Sequence, residues 1–221
     1  MPADDGGSTA VLFDLDGTLV DSFPGIASAY HHMLEAVDLK DIPDSEIRLL
    51  VGQNIKAVLH EHFGLSGERL EKAVSAFRGE YGSHGLYRYS KYDGVDHALK
   101  QLQNDTVTLC IATGKLRSMA NDLLVHAAWS ETFAVVGGAE VDGSRLHKRD
   151  IIAWTLDQLP KGTRALAMVG DRGVDIEGGR ELGLPGIGVT WGYGDSEELG
   201  AAGASLIVDS PDQLLRALRD I

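Results

Sequence analysis

Two aspartates stand at the end of an apolar run near the start of the chain. In "AVLFDLDGTLVDS", which covers residues 10–22, Asp14 and Asp16 follow a short apolar segment that is typical of a buried strand. Side chains two residues apart on a strand point the same way, so we expect both carboxylates in one space. Like charges at that distance resist ionising together. A divalent cation would compensate them, and Mg²⁺ prefers hard oxygen ligands of this kind.

A second acidic pair follows another apolar run. The stretch "MVGDRGVDIEGG" places Asp171 at the end of this run and Asp175 four residues later. If both runs are strands that end at the same edge of a sheet, the space between them is strongly negative without a metal ion. A bound metal is therefore a physical requirement of this interpretation.

Two further segments offer groups that bind anions. In "CIATGK" the hydroxyl of Thr113 and the backbone N–H of Gly114 stand at the end of a predicted core strand. "RLHKRD" begins a helix with Lys148, whose ammonium group could reach the same point. Lys115 lies too close to Thr113 to supply a separate strand end, so it is given no role. Together with a metal ion, these groups predict a phosphate-binding site.

The order of apolar and helical segments predicts an α/β protein. From residue 106 onward, short apolar runs alternate with segments of helical period, which is typical of a parallel sheet with helices on both faces. The predicted strands of this half cover residues 107–113, 133–137, 165–170, 187–190 and 206–208. The stretch after the first motif shows helical periodicity only. We therefore predict a Rossmann-like core of residues 10–22 and 86–221, an inserted all-helical cap of residues 23–85, and a loose tail of residues 1–9.

Composition narrows the classes of partner. The chain has 221 residues, of which 43% are apolar, enough for one large domain or a domain with an insertion. No apolar stretch of about 18 residues exists, so no membrane span is expected. A net charge of −13 argues against nucleic acid, because that binding depends on Lys and Arg neutralising phosphates. The N-terminal tail lacks the basic and apolar stretches of a secretory signal, so we expect a cytoplasmic protein. Because a phosphate-binding site is predicted, the expected partner is a small phosphorylated metabolite.

Four segments together resemble a known family. "DLDGTLVDS", "IATGK", the segment at Lys148 and "GDRGVDI" resemble, in order and spacing, the four motifs of the haloacid dehalogenase superfamily. The resemblance is to its phosphatase branch with a helical cap, and "GVTWGYGDSEEL" and "DSPDQLL" resemble phosphoglycolate phosphatase-like members. One departure is that the family's third-motif lysine is usually followed by proline, whereas Arg149 follows Lys148 here.

The resemblance implies a Mg²⁺-dependent phosphatase that hydrolyses a small phosphate monoester, such as phosphoglycolate, through an aspartyl-phosphate. Asp14 would be the nucleophile, and Asp16 would give a proton to the leaving alcohol and later take one from water. The metal would be held by the carboxylates of Asp14 and Asp171 and the backbone carbonyl of Asp16. Asp175 would hold metal-bound water.

The resemblance also assigns residues to the phosphate and to the leaving group. Thr113 and Lys148 would balance the charge of the phosphoryl group, and Gly17 and Gly114 would complete its binding site. Specificity would come from polar residues of the cap. The candidates near "RLLVGQNIKAV" are Arg48, Gln53, Asn54 and Lys56.

Other functions of the same core stay open. A phosphomutase similar to β-phosphoglucomutase, a nucleotidase and a pyrophosphatase are alternatives, although mutases that resemble this family usually carry valine where this chain has Thr18. Dehalogenases of the superfamily have no carboxylate at the position of Asp16, because a halide leaves without a proton. A phospho-acceptor signalling module is the non-enzymatic alternative, but such modules lack a helical cap.

Overall fold

A computed structural model describes residues 8–221, and its centre is a parallel β-sheet. In chain order the strands are β1 (Thr9–Phe13), β2 (Val20–Asp21), β3 (Ser90–Lys91), β4 (Val107–Leu116), β5 (Val135–Ala139), β6 (Arg164–Gly170), β7 (Gly186–Val189) and β8 (Leu206–Val208). Six of them form one sheet in the order β5-β4-β1-β6-β7-β8, with every pair parallel. The predicted loose tail lies mostly in residues 1–7, outside the described residues.

Helices connect these strands and cover the sheet. They are α1 (Phe23–Ala36), α2 (Asp44–Leu50), α3 (Ile55–Glu61), α4 (Gly67–Ser83), α5 (Val95–Asn104), α6 (Arg117–His126), α7 (Lys148–Asp157), α8 (Gly173–Glu181), α9 (Ser196–Ala201) and α10 (Pro211–Arg219). The predicted fold class, a parallel sheet with helices around it, is confirmed. Among residues 8–221, no helix is both long and apolar enough to cross a membrane.

The central strands are apolar through their middle because both faces of the sheet are covered. In β1, Ala10, Val11 and Leu12 have no exposed surface, and Cys110 and Ile111 of the neighbouring β4 are equally buried. Polar side chains cluster at the carboxyl ends of these strands, with Asp14 after β1 and Thr113 and Lys115 among the last residues of β4. The functional groups of the sheet therefore lie at one edge, at the carboxyl ends of the strands.

Helices α1 to α4, which we call the helical segment, lie between β2 and β3. Within it, α1 packs against α4, and the rings of Tyr30 and Phe77 meet edge to face with centres 5.1 Å apart. Strands β2 and β3 pair antiparallel just where the chain leaves and re-enters the sheet region. This ribbon was not predicted, because a two-residue strand carries no periodicity.

Some strand limits differ from the prediction. β1 begins at Thr9, inside the predicted tail, and β5 covers Val135–Ala139 rather than residues 133–137. β4 continues past Thr113 to Leu116, and its pairing with β5 shifts in register between these two residues.

Candidate active site

Three carboxylates meet at the ends of neighbouring strands. Asp14 follows β1 and Asp171 follows β6, and the N–H of Asp14 donates to the carbonyl of Val169 at 2.8 Å. Asp175 stands in the first turn of α8. One oxygen of each carboxylate lies within 4.8 Å of the others, and all three side chains are buried. We call Asp14, Asp171 and Asp175 the acidic cluster.

The turn after β1 lets Asp171 approach closely. Gly17 has a φ of +87°, and a Cβ atom on it would lie 2.2 Å from an oxygen of Asp171, so only glycine fits there. The hydroxyl of Thr18 donates to one oxygen of Asp171 at 3.1 Å, and the N–H of Tyr193 donates to the other at 2.8 Å. These uncharged donors thus orient the Asp171 carboxylate but do not neutralise its charge.

Lys148 supplies positive charge to the acidic cluster. Its Nζ atom lies 2.9 Å from Asp14 and 2.7 Å from Asp175, and it also donates to the carbonyl of Ala112 at 3.0 Å. Burial alone would lower the pKa of Lys148, but the attraction of Asp14 and Asp175 outweighs it and the pKa lies above its ordinary value. The residue that begins α7 is therefore a permanent cation within the site.

The acidic cluster fits a divalent metal ion. Burial, followed by the charges of Asp175 and Asp14, holds the pKa of Asp171 well above its usual range. Burial also raises the pKa of Asp175 to about 6, against the opposing attraction of Lys148. Three buried carboxylates thus share one ammonium group, and a hard cation is the partner that would relieve the remaining repulsion. The donor set consists of oxygen atoms, as Mg²⁺ prefers.

Thr113 and Gly114 lie at the end of β4, the other neighbour of β1. The side chain of Thr113 is buried, and its hydroxyl oxygen accepts the N–H of Lys115 at 3.3 Å. Gly114 is exposed and, like Thr113 and Asp14, lines a cleft between the sheet and the helical segment. Hydrogen-bond donors for an anion therefore stand beside the acidic cluster.

Lys115 is the site residue that sequence reasoning missed. Its Nζ atom lies 2.9 Å from Asp16 and donates to the hydroxyl of Tyr81 on α4. The second oxygen of Asp16 accepts the hydroxyl of Ser22 at 2.5 Å. Lys115 stands two residues after Thr113, and side chains two apart on a strand point the same way, so this spacing was a usable signal. The expectation that each site group comes from a separate strand end excluded it.

Comparison with known proteins identifies the family. A model of the haloacid dehalogenase-like hydrolase family matches residues 11–189, more than half of the chain. The chain belongs to this family. The match runs from β1 to the end of β7 and so includes every strand that ends at the site.

Relatives of this hydrolase carry several names. It is 35% identical to the tyrosine-protein kinase PtkA of Mycobacterium tuberculosis over 94% of the chain and 72% of the relative. It is 31% identical to a 5'-nucleotidase of Pseudomonas aeruginosa, with 86% of each chain covered. A phosphoglycolate phosphatase of Caulobacter vibrioides is 30% identical over 90% of this chain and 86% of the relative.

A solved structure supports the same assignment. The crystal structure of a predicted phosphatase from Clostridium acetobutylicum superimposes with a TM-score of 0.91 at 32% identity, and covers 97% of this chain and 99% of its own. With the family match and the phosphatase relatives, this makes the chain a phosphatase of the haloacid dehalogenase-like family.

The cleft of this hydrolase lies between the strand ends and the helical segment and has a volume of about 110 Å³. Asp14, Asp16, Thr113 and Lys115 lie on its sheet side. Its other wall is apolar and aromatic, with three cationic or phenolic side chains. The residues of this wall include Ile26, Tyr30, Ile55, Phe77, Arg78 and Tyr81.

The four polar candidates of the helical segment divide into two pairs. Gln53 and Asn54 line the cleft, but the Asn54 side chain caps α3 by accepting two backbone N–H groups, and the Gln53 amide donates to a backbone carbonyl at 2.9 Å. Arg48 stacks on the ring of Phe23 at 4.0 Å, and Lys56 pairs with an exposed glutamate. Neither of the latter two lines the cleft within residues 8–221.

Proposed function

We propose that this phosphatase is Mg²⁺-dependent and hydrolyses a small phosphate monoester, with phosphoglycolate as the leading candidate, through an aspartyl-phosphate. The observation that carries the proposal is the convergence of Asp14, the other two carboxylates of the acidic cluster and Lys148 at the cleft. A carboxylate surrounded by cations and hydrogen-bond donors is arranged to attack a phosphoryl group.

The metal would be held by the carboxylates of Asp14 and Asp171 and by the backbone carbonyl of Asp16, with Asp175 supporting its bound water. When bound, Mg²⁺ withdraws negative charge from the phosphoryl oxygens during transfer. The acidic cluster supports this assignment because its charge exceeds what Lys148 can neutralise.

In the first step, a carboxylate oxygen of Asp14 attacks phosphorus, and the bond from phosphorus to the alcohol oxygen breaks. Asp16 gives a proton to that oxygen as it leaves. Thr113, Gly114 and Lys148 stabilise the charge of the phosphoryl oxygens by donating hydrogen bonds. Proton transfer of this kind contributes about 10²–10⁴-fold, so electrostatic stabilisation must supply most of the acceleration.

In the second step, a water molecule attacks the phosphorus of the aspartyl-phosphate. Asp16, which lost its proton in the first step, takes one from the water, and the bond from phosphorus to the carboxylate oxygen breaks. Inorganic phosphate leaves, and both aspartates return to their starting states.

The helical segment acts in this proposal as a cap over the site. Its helices α1 and α4 and the residues around Asn54 form the wall opposite the strand ends. Closing such a wall excludes water while the first step takes place. The proposed division of the chain is a catalytic core of residues 10–22 and 86–221 with a cap of residues 23–85.

The size of the cleft supports a small substrate. Dry cavities of about 150 Å³ bind benzene, and pockets for larger organic ligands span about 300–1,000 Å³. A cleft of about 110 Å³ therefore suits a substrate of few atoms. A nucleotide is the second candidate, because a relative is named 5'-nucleotidase and the aromatic rings of Tyr30 and Phe77 line the cleft.

A phosphate-release screen tests the proposal. Purified protein is assayed on phosphoglycolate, other small phosphoesters, sugar phosphates, nucleotides and pyrophosphate, with Mg²⁺ and with a chelator. We expect release from small monoesters only with Mg²⁺, and a loss of at least about a thousandfold in Asp14→Asn. Asp157→Asn, at an exposed position of α7, is the matched control and should retain the wild-type rate.

Two outcomes would contradict the proposal. One is an undiminished rate in Asp14→Asn, which would show that Asp14 is not the nucleophile. The other is phosphotyrosine after incubation with ATP together with no phosphate release from any ester, which would match the activity in the name of the mycobacterial relative.

A further inference from the structure

Lys115 is a buried cation that the mechanism above does not use. Only 5% of its side chain is exposed, and its ammonium group lies between Asp16 on the sheet side and Tyr81 on the helical segment. The contact with the Asp16 carboxylate favours the charged form of the Lys115 amine. Lys115 is therefore a fixed positive charge in the wall of the cleft.

Both oxygens of Asp16 are already occupied in this arrangement. One accepts the hydroxyl of Ser22 and the other contacts the ammonium group of Lys115. To give a proton to the oxygen of a leaving alcohol, Asp16 must exchange one of these partners and first take up a proton, because the carboxylate that contacts Lys115 carries none. Lys115 lines the cleft and Ser22 does not, so the contact with Lys115 is the one that a substrate meets.

This exchange would leave Lys115 without its counter-ion. The remaining partner, the hydroxyl of Tyr81, is uncharged, and a buried charge that loses its partner is strongly destabilised. An anionic group on the substrate would restore the pairing at no such cost. An uncharged alcohol would leave the ammonium group unpaired.

We propose that Lys115, held by Tyr81, is a specificity-determining residue that binds an anionic group on the leaving alcohol, of which the carboxylate of phosphoglycolate is the simplest. This inference rests on the proposed phosphatase reaction. It also favours phosphoglycolate over nucleotides, because a nucleoside carries no anion on its sugar or base.

A matched pair of substrates tests the role of Lys115. Phosphoglycolate and ethyl phosphate have the same two-carbon chain and differ in the carboxylate. We expect the wild type to favour phosphoglycolate by at least about tenfold in kcat/KM, the size of a hydrogen bond to a charged group. Lys115→Met should remove this preference by slowing phosphoglycolate while changing ethyl phosphate less.

Further variants keep the test decisive if Lys115→Met unfolds. Tyr81→Phe removes one hydroxyl from the lysine and should reduce the preference in part, mainly through the KM of phosphoglycolate. Lys115→Arg keeps the charge and should retain a preference. Lys100→Met, at an exposed position of α5, should behave as the wild type.

The outcomes separate this inference from the proposed function. A wild type that hydrolyses both esters equally well, or a Lys115→Met variant that slows both in the same proportion, overturns the role of Lys115 and leaves the phosphatase reaction standing. The role of Lys115 is also overturned if the preference for phosphoglycolate disappears in Arg78→Met and survives in Lys115→Met. Arg78 lines the same cleft, and that result would make it the residue that binds the carboxylate. Absence of phosphate release from both esters and from p-nitrophenyl phosphate in the wild type contradicts the proposed function itself.

Discussion

The charged residues of this site stabilise one another. Lys148 contacts Asp14 and Asp175, and Lys115 contacts Asp16, with every one of these side chains largely buried. Buried ion pairs add little net stability, but removal of one partner is costly because the other charge remains buried. The consequences of single substitutions therefore extend beyond catalysis to folding.

Replacement of Lys148 by methionine should lower the free energy of unfolding of the metal-free protein by about 3–5 kcal/mol. The reason is that Asp14 and Asp175 would stay buried without their counter-ion. Urea unfolding in the presence of a chelator measures the change. Lys161→Met, on an exposed loop, is the control and should stay within about 0.5 kcal/mol of the wild type.

A second substitution checks the cause of this loss. Asp175→Asn in the Lys148→Met background removes one of the unpaired charges, so it should restore part of the stability. Equal stability of the single and double variants would mean that Lys148 stabilises the fold by packing and not by charge.

At the scale of residues, the spacing of charged groups was readable and their partners were not. The aspartate pairs at 14 and 16 and at 171 and 175 indicated an acidic site because each follows an apolar run. Lys115 stands two residues after Thr113 and so shares its side of the strand, but this spacing does not show that the ammonium group reaches Asp16.

At the scale of elements, the site is a property of strand ends. Asp14 and Asp171 come from strands that are distant in the chain and adjacent in the sheet. The alternation of apolar runs and helices predicted this parallel arrangement, because each run is long enough to be a strand and too short to be a helix. The β2–β3 ribbon was not predictable, because it depends on tertiary contacts alone.

Metal binding should stabilise the folded protein through the same strand ends. At a hundredfold excess of Mg²⁺ over its Kd, we expect the melting temperature to rise by about 5–10 °C, because the ion binds only the folded state. Asp171→Asn should melt higher than the wild type in a chelator, since one repelling charge is gone, and should not respond to Mg²⁺. Differential scanning fluorimetry measures both.

The control for this experiment is another aspartate that follows a strand. Asp209 comes after β8, is exposed and lies outside the acidic cluster. Asp209→Asn should respond to Mg²⁺ as the wild type does. A full Mg²⁺ response in Asp171→Asn would place the metal elsewhere.

The start of α2 is tied to α1 by a histidine that responds to pH. His31 contacts Asp41 at 2.6 Å and Asp44 at 2.9 Å, and its hydrogen bond to Asp41, followed by that to Asp44, raises its pKa above the ordinary 6.5. A raised folded-state pKa contributes stability that is complete below the unfolded pKa and is lost as the pH rises through the folded one. The wild type should therefore lose stability between pH 6 and pH 8 relative to His31→Gln.

Melting temperatures at these two pH values measure the effect, with His32→Gln as the control. His32 is the exposed neighbour of His31 on α1, and its variant should keep the pH response of the wild type. The interpretation fails if His31→Gln and His32→Gln show the same response.

At the scale of the whole molecule, Arg172 joins the sheet to the helical segment. It precedes α8, donates to the carbonyl of Val51 and pairs with Glu198 at 2.9 Å. It also follows Asp171 directly. One short stretch of chain therefore carries both a residue of the acidic cluster and the contact to Val51, which lines the cleft. Loss of this arginine should loosen the wall without disturbing the sheet.

Hydrogen exchange tests this expectation. In Arg172→Met, amides of residues 47–55 should exchange faster than in the wild type, while those of β1 and β4 stay protected. Arg180→Met, at an exposed position later in α8, should leave both regions unchanged. Faster exchange throughout the sheet would show instead that Arg172 stabilises the fold as a whole.

Cys110, the sole cysteine of the chain, lies within β4 with no exposed surface, and burial raises the pKa of its thiol to about 12. Peroxide and alkylating reagents attack exposed thiolates, so this sulfur is a poor target for both. The proposed nucleophile is an oxygen atom of a carboxylate, which these reagents do not consume. Such an enzyme would keep working under oxidative stress, when hydrolases that depend on a reactive sulfur are inactivated.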